Sequence, residues 1–174
     1  MAHPLIDQLR FARSEWLRCV AGVTEEEAAV HFGPMNCISW LMGHLAWHEQ
    51  RYWRQYGQNL EPLYPELNEL YAFGAPMSTP ALAAMRQRWE SVTAAVDPWL
   101  DQLSTADLAA DMPRFGRSVG QSVGSGMLRM TYHYWFHIGE IQAIRQMIGH
   151  TDLGSYVGDI EARAPYRPEP QAGE

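Results

Sequence analysis

Two histidine pairs with the same spacing are the residues of this chain whose types could support chemistry. His44 and His48 are four residues apart in HLAWH, and His133 and His137 are four apart in HYWFH. Residues four apart on a helix lie one above the other on the same face. Imidazole is a good ligand for zinc, nickel, copper or iron. Two such pairs on separate helices therefore indicate a metal site.

The pair in the last long helix faces the apolar side of that helix. With about 100° per residue, His137 lies about 40° from His133, close to Met130 and Ile144. Buried imidazoles without partners are costly, so they must be hydrogen-bonded, charged or metal-bound. Two interpretations follow. The histidines bond one another in the core, or three of them, from two helices, bind a metal and leave coordination positions open, as a catalytic site requires.

Three charged residues near these pairs have alternative roles. Glu140 follows His137 by one turn on the same face, where it could orient a ligand imidazole or shuttle a proton. It could equally pair with an arginine across the protein. Arg51 and Arg145 face partly inward and could hold an anionic substrate group, although a structural ion pair is the commoner role.

Amphipathic segments predict four long helices. They run from Pro4 to about Ala21, from about Cys37 to Gly57, from Thr79 and Pro80 to about Leu103, and from about Ser122 to Ile148. Threonine caps the third helix, with proline at its first position. Long connections rich in proline or glycine follow the second and third helices, and no segment resembles a strand. The pattern predicts an all-α fold, a four-helix bundle with long connecting loops.

Length and composition limit the class of protein. The 174 residues suggest one domain over 1–150 and a loosely ordered C-terminal tail over 151–174. The net charge of −7 argues against nucleic acid as a partner. All thirteen basic residues are arginine, which excludes lysine Schiff-base chemistry. No apolar run is long enough for a membrane span and no signal peptide is recognisable, so we expect no membrane partner and a cytoplasmic location.

The fourth helix carries apolar residues on its back as well. Trp135 points away from the histidines, about 200° round the helix, with Leu128 on the same side. Either another part of the chain or a partner subunit must cover this side. We favour the second interpretation and expect a homodimer.

Two stretches identify a family resemblance. HLAWHEQRYW in the second helix and HYWFHIGEIQAIRQMIGH in the fourth resemble the DinB-like (DinB/YfiT) superfamily of four-helix metalloenzymes, whose layout matches almost the whole chain. In that family one histidine of the second helix and an HxxxH pair of the fourth hold a divalent metal. The resemblance thus implies His44, His133 and His137 as ligands, with His48 as a reserve ligand or an orienting neighbour.

The resemblance also implies an activity. Similar proteins transfer low-molecular-weight thiols such as mycothiol or bacillithiol to electrophiles, or isomerise small-molecule substrates with such a thiol as cofactor. We therefore expect a divalent metal, zinc or nickel, a thiol cofactor, and Glu140 as a catalytic residue. Two alternatives stay open: hydrolysis by metal-bound water, and a stress-response protein that binds the metal without catalysis.

Overall fold

Eight helices and one small hairpin make up the described part of the chain, residues 2–114 and 117–168 of a computed structural model. The helices are α1 (Pro4–Val20), α2 (Glu25–Ala28), α3 (Ile38–Glu49), α4 (Leu67–Leu70), α5 (Leu82–Leu100), α6 (Thr105–Ala109), α7 (Val123–Met147) and α8 (Ile160–Arg163). A π-helical segment, Gln50–Gly57, continues α3 without a break. The long helices α1, α3, α5 and α7 form the predicted four-helix bundle, in which α1 packs on α7 and α3 packs on both α5 and α7.

The ends of α1 and α7 follow the local signals in the sequence. Pro4 occupies the first position of α1, where its missing N–H costs nothing. The side chain of Ser122 caps α7 by accepting a hydrogen bond from the backbone N–H of Ser125. Gly149, with a φ of +93°, ends that helix in a conformation that favours glycine. These boundaries agree with the predicted ones to within one or two residues.

The start of α5 differs from the prediction. The helix begins at Leu82, and Thr79 does not cap it. Instead, the carboxylate of Glu25 in α2 accepts hydrogen bonds from the backbone N–H groups of Leu82 and Ala83, at 2.6 and 2.8 Å. A carboxylate at this place satisfies free N–H groups and interacts favourably with the helix dipole. The cap is thus supplied by a residue distant in sequence.

The connection between α5 and α7 contains strands that the sequence analysis did not predict. Strand β1 (Asp111–Arg114) pairs antiparallel with β2 (Arg117–Ser122). The hairpin contacts the π-helical segment, and Met112 is almost fully buried. The terminal methyl group of Met112 packs so close to Gly126 of α7 that a Cβ atom there would lie 2.5 Å from it. The hairpin is therefore packed onto the bundle as a wall.

A buried ion pair with its hydrogen bonds connects the four long helices. Arg13 of α1 donates to Glu49 of α3 at 2.8 Å and to Asp97 of α5 at 2.6 Å. The Tyr134 hydroxyl of α7 donates to Glu49 at 2.7 Å and accepts from the Trp89 indole at 2.7 Å. Glu49 has no exposed surface, so its charge depends entirely on these partners.

The back of α7 is covered from within the chain at Trp135, whereas Leu128 stays exposed. Trp135 packs on Phe11 of α1, with 5.8 Å between the ring centroids. The observation that suggested a homodimer therefore has an explanation inside one subunit. The homodimer stays a prediction.

The described part of the C-terminal segment lies along α1. The Gln8 side chain donates to the carbonyl of Ala164 at 2.7 Å, and Arg163 pairs with Glu15 at 3.0 Å. Residues 169–174 of the predicted tail lie outside the described residues. Among the helices that the structure describes, none combines the length and the apolar character that a membrane crossing requires.

Candidate metal centre

The structure brings the two histidine pairs together. The ring centroid of His133 lies 5.1 Å from that of His44, 4.2 Å from that of His48 and 4.4 Å from that of His137. The centroids of His44 and His137 are 5.3 Å apart. We call these four side chains the histidine cluster. Helix α3 provides two of them and α7 provides the other two, because these two helices pack against each other.

The structure gathers one set of three histidines closely enough for a metal ion. One ring nitrogen from each of His44, His48 and His133 lies within 4.8 Å of the others. His137 adjoins this set, because its Nε2 atom is 2.8 Å from the Nε2 atom of His133. The assignment of His44, His133 and His137 as ligands stays a prediction.

Hydrogen bonds orient two of the four rings. His137 Nδ1 lies 2.8 Å from the Glu140 carboxylate, and His44 Nδ1 lies 2.7 Å from the carbonyl oxygen of Tyr71. When both Nδ1 atoms donate, each Nε2 atom keeps a lone pair for another partner. Metal-bound histidines in proteins are held in the same way, by a carboxylate or a carbonyl on the second nitrogen.

The other two rings have unsatisfied nitrogens. The Nδ1 atoms of His48 and His133 are buried and have no hydrogen-bond partner among the described residues. Buried polar atoms without partners are rare in folded proteins. A divalent cation is a partner that this all-nitrogen donor set can accept, and the residues therefore fit a metal site.

The surroundings keep three rings of the cluster uncharged. Burial lowers the pKa of His44 to about 4. Burial, with a further contribution from His137, lowers the pKa of His133 to about 3. Burial also lowers the pKa of His48 well below its usual range. Since a metal binds only the neutral imidazole, these rings are ready for ligation at neutral pH.

Acid should destabilise the metal-free protein. Above pH 6.5 His44 is neutral in both the folded and unfolded states, and it does not change the free energy of unfolding. As the pH falls from 6.5 to about 4, the unfolded state takes up a proton that the folded state does not, and roughly 3 kcal/mol of stability is lost. Urea unfolding after chelation, at pH 7.0, 5.5 and 4.5, measures this slope. A His44→Asn variant does not titrate at this position, and equal slopes for both proteins would contradict the assignment.

A cavity of about 660 Å³ lies beside the cluster. His48 and His133 form its inner wall, whereas His44, His137 and Glu140 do not line it. The remaining walls carry aromatic rings and arginines from the π-helical segment and its surroundings, the hairpin and α7: Trp47, Tyr52, Tyr56, Phe73, Tyr132 and Phe136, with Arg51, Arg114 and Arg129. The cavity thus leads from the surface to two histidines of the cluster.

The π-helical segment places aromatic rings in line with the histidines. The ring centroids of His44 and His48 are 5.1 Å apart, those of His48 and Tyr52 are 5.4 Å apart, and those of Tyr52 and Tyr56 are 5.8 Å apart. In a continuous α-helix each step of four residues drifts about 40° round the axis. The wider turn of a π-helix opposes this drift. The segment ends at Gly57, as predicted for the second long helix, whereas the change of helix type was not predicted.

The three charged residues identified in the sequence lie in different parts of the structure. Arg145 donates to the Cys19 carbonyl at 2.8 Å and to the His150 ring at 3.0 Å, away from the cavity. Glu140 contacts His137, and among the described residues no arginine pairs with it. Arg51 lines the cavity and donates from Nε to the Tyr56 hydroxyl. Neither Arg51 nor Arg145 has a carboxylate partner in the described chain, so the ion pair favoured for both is not found there. The hairpin and α7 add Arg114 and Arg129, which sequence analysis missed.

Comparisons with known proteins agree with this architecture. The family described as the DinB superfamily matches residues 8–141, which include both histidine pairs. No curated protein matches the chain. The crystal structure of a conserved protein from Enterococcus faecalis is similar, with 18% sequence identity, a TM-score of 0.62, and coverage of 86% of this chain and 99% of that one. At this identity the likeness shows a common fold. By the family match, the chain belongs to the DinB superfamily.

Proposed function

We propose that the protein is a divalent-metal-dependent enzyme that transfers a low-molecular-weight thiol to an electrophile, or isomerises a substrate with such a thiol as cofactor. One observation carries this proposal: two residues of the histidine cluster, His48 and His133, line an open cavity. At about 660 Å³ the cavity has the size of small-molecule sites in proteins. A purely structural metal needs no such access.

Different residues of the chain would bind the metal and position its ligands. Three imidazoles of the cluster would hold zinc or nickel, which when bound would stabilise a thiolate at neutral pH. Glu140 and the Tyr71 carbonyl fix the rings of His137 and His44. Glu140 does not line the cavity and contacts the His137 ring, and we therefore assign it a positioning function. Direct proton transfer by Glu140 stays a prediction.

Thiol consumption tests the proposal directly. Protein purified without a histidine tag and supplied with zinc or nickel would be mixed with monochlorobimane and, in turn, mycothiol, bacillithiol or glutathione. We expect fluorescent thioether to form faster than in buffer with at least one thiol, and the increase to disappear after chelation and in His133→Ala. Near-stoichiometric metal without any acceleration would refute the transferase function.

A second candidate is supported by the position of His48. A ring nitrogen of His48 lies within 4.8 Å of ring nitrogens of His44 and His133. His48 could therefore complete a four-histidine site that has no open position. Such a site would favour a metal-binding protein without catalysis. X-ray absorption of the zinc protein counts the imidazoles: four favour this candidate, and three with an oxygen ligand favour an enzyme. Ester hydrolysis without added thiol would instead indicate a hydrolase.

A further inference from the structure

Three arginines that line the cavity lack the carboxylate partner that seven of the thirteen arginines have. Seven arginines lie within 4.0 Å of a carboxylate: Arg10, Arg13, Arg18, Arg86, Arg88, Arg163 and Arg167. None of the residues that line the cavity is acidic. Over the described ranges, Arg51, Arg114 and Arg129 have no carboxylate within that distance. The cavity therefore holds three positive charges that the protein does not neutralise.

Two of these charges are placed against the same ring. The guanidinium carbon of Arg51 lies 4.7 Å from the Trp47 ring centroid and 5.4 Å from that of Tyr56. The guanidinium carbon of Arg114 lies 5.3 Å from the Tyr56 centroid. Stacking on aromatic faces compensates part of the repulsion between the two groups. The Nε–H of Arg51 donates to the Tyr56 hydroxyl. The other N–H donors of Arg51 and those of Arg114 remain suited to a carboxylate, which a guanidinium can bind through two parallel hydrogen bonds.

The third positive charge, that of Arg129, lies among exposed aromatic rings. Arg129 is one turn before Tyr132 on α7 and lines the same cavity. Tyr132 is 64% exposed, Phe136 is 68% exposed and Phe73 is 92% exposed. Exposed rings of this size at a cavity mouth offer stacking surface to a flat apolar group.

We propose that Arg51, Arg114 and Arg129 bind the carboxylate of a small organic acid whose flat, unsaturated body lies between the aromatic walls. The inference rests on the proposed function in one respect: it takes the histidine cluster as the place where that molecule reacts. The carboxylate belongs either to the electrophile or to the thiol, and both use the same arginines. The substrate class is thus an organic anion rather than a neutral molecule.

Matched acids and amides test this inference by calorimetry. Cinnamate and cinnamamide represent the electrophile, while N-acetylcysteine and its amide represent the thiol. In at least one pair we expect the acid to bind about tenfold more tightly than the amide, and the preference to weaken with added salt. The variants Arg51→Gln and Arg129→Gln should each remove most of it. The pair that responds identifies which molecule carries the carboxylate.

The controls separate this inference from the proposed function. Arg86→Gln removes an exposed arginine that pairs with Glu90 on α5, and it should keep the full preference. Each titration is run before and after chelation, and a preference that disappears with the metal would mean that the carboxylate binds the metal instead. Equal binding of acid and amide in both pairs would also overturn the inference. Because binding is measured without turnover, a failed thiol-transfer assay leaves this result unaffected.

Discussion

Replacing Arg13 with alanine should lower the free energy of unfolding by about 3–5 kcal/mol, because the Glu49 carboxylate would stay buried without its cationic partner. Burial disfavours a charged Arg13, but Glu49 raises the pKa of the guanidinium overall, so Arg13 stays charged. For a chain of this length the loss corresponds to a fall in Tm of roughly 10 °C. Urea and thermal unfolding of the purified variant measure it.

Two further variants show whether the charge or the packing is responsible. Arg86→Ala removes an exposed pair with Glu90 and should cost less than about 1 kcal/mol. Combining Arg13→Met with Glu49→Leu removes both charges, and this double variant should be more stable than Arg13→Ala. If Arg13→Ala is no less stable than Arg86→Ala, the buried network does not hold the bundle together.

Metal binding should be abolished when His133 or His137 is replaced with alanine. Each change removes one of three predicted ligands and leaves too few imidazoles to hold a divalent ion tightly. We expect near-stoichiometric zinc or nickel in the untagged protein and almost none in either variant, by elemental analysis. The control is His31→Ala, a histidine whose ring contacts the Met35 carbonyl.

His48→Ala decides between the two possible ligand sets. If His44, His133 and His137 bind the metal, this variant keeps most of it. If it loses the metal while His137→Ala retains it, the ligands are His44, His48 and His133, which the distances also allow. Circular dichroism of each variant shows whether a loss of metal reflects unfolding.

Local signals explain which parts of the fold could be predicted. Pro4, Ser122 and Gly149 act within one turn of the helix end that they determine, and the sequence alone therefore located α1 and α7. The histidine pairs were visible for the same reason, since a spacing of four residues is a property of one helix. The two pairs come into contact only because α3 packs against α7. The predicted four-helix bundle led us to expect this contact.

Contacts between distant segments explain the rest. The cap of α5 comes from Glu25, 57 residues before Leu82, and no pattern near Thr79 could reveal it. The hairpin that carries Arg114 lies in a segment whose glycines and prolines resemble those of an irregular loop. The π-helical turns have no sequence signature, and they determine where Tyr56 points. Tertiary packing decides each of these features.

The change of helix type after Glu49 has a consequence for how such a protein can diversify. Substitutions that returned Gln50–Gly57 to α-helical geometry at unchanged length would wind the segment more tightly and turn the side chains near its end round the helix axis. Tyr56 would leave the line of rings, whereas His44 and His48 lie before the segment and would keep their places. Such substitutions could therefore reshape the entrance while preserving the predicted metal ligands, which makes this segment a natural target for engineering a new substrate range.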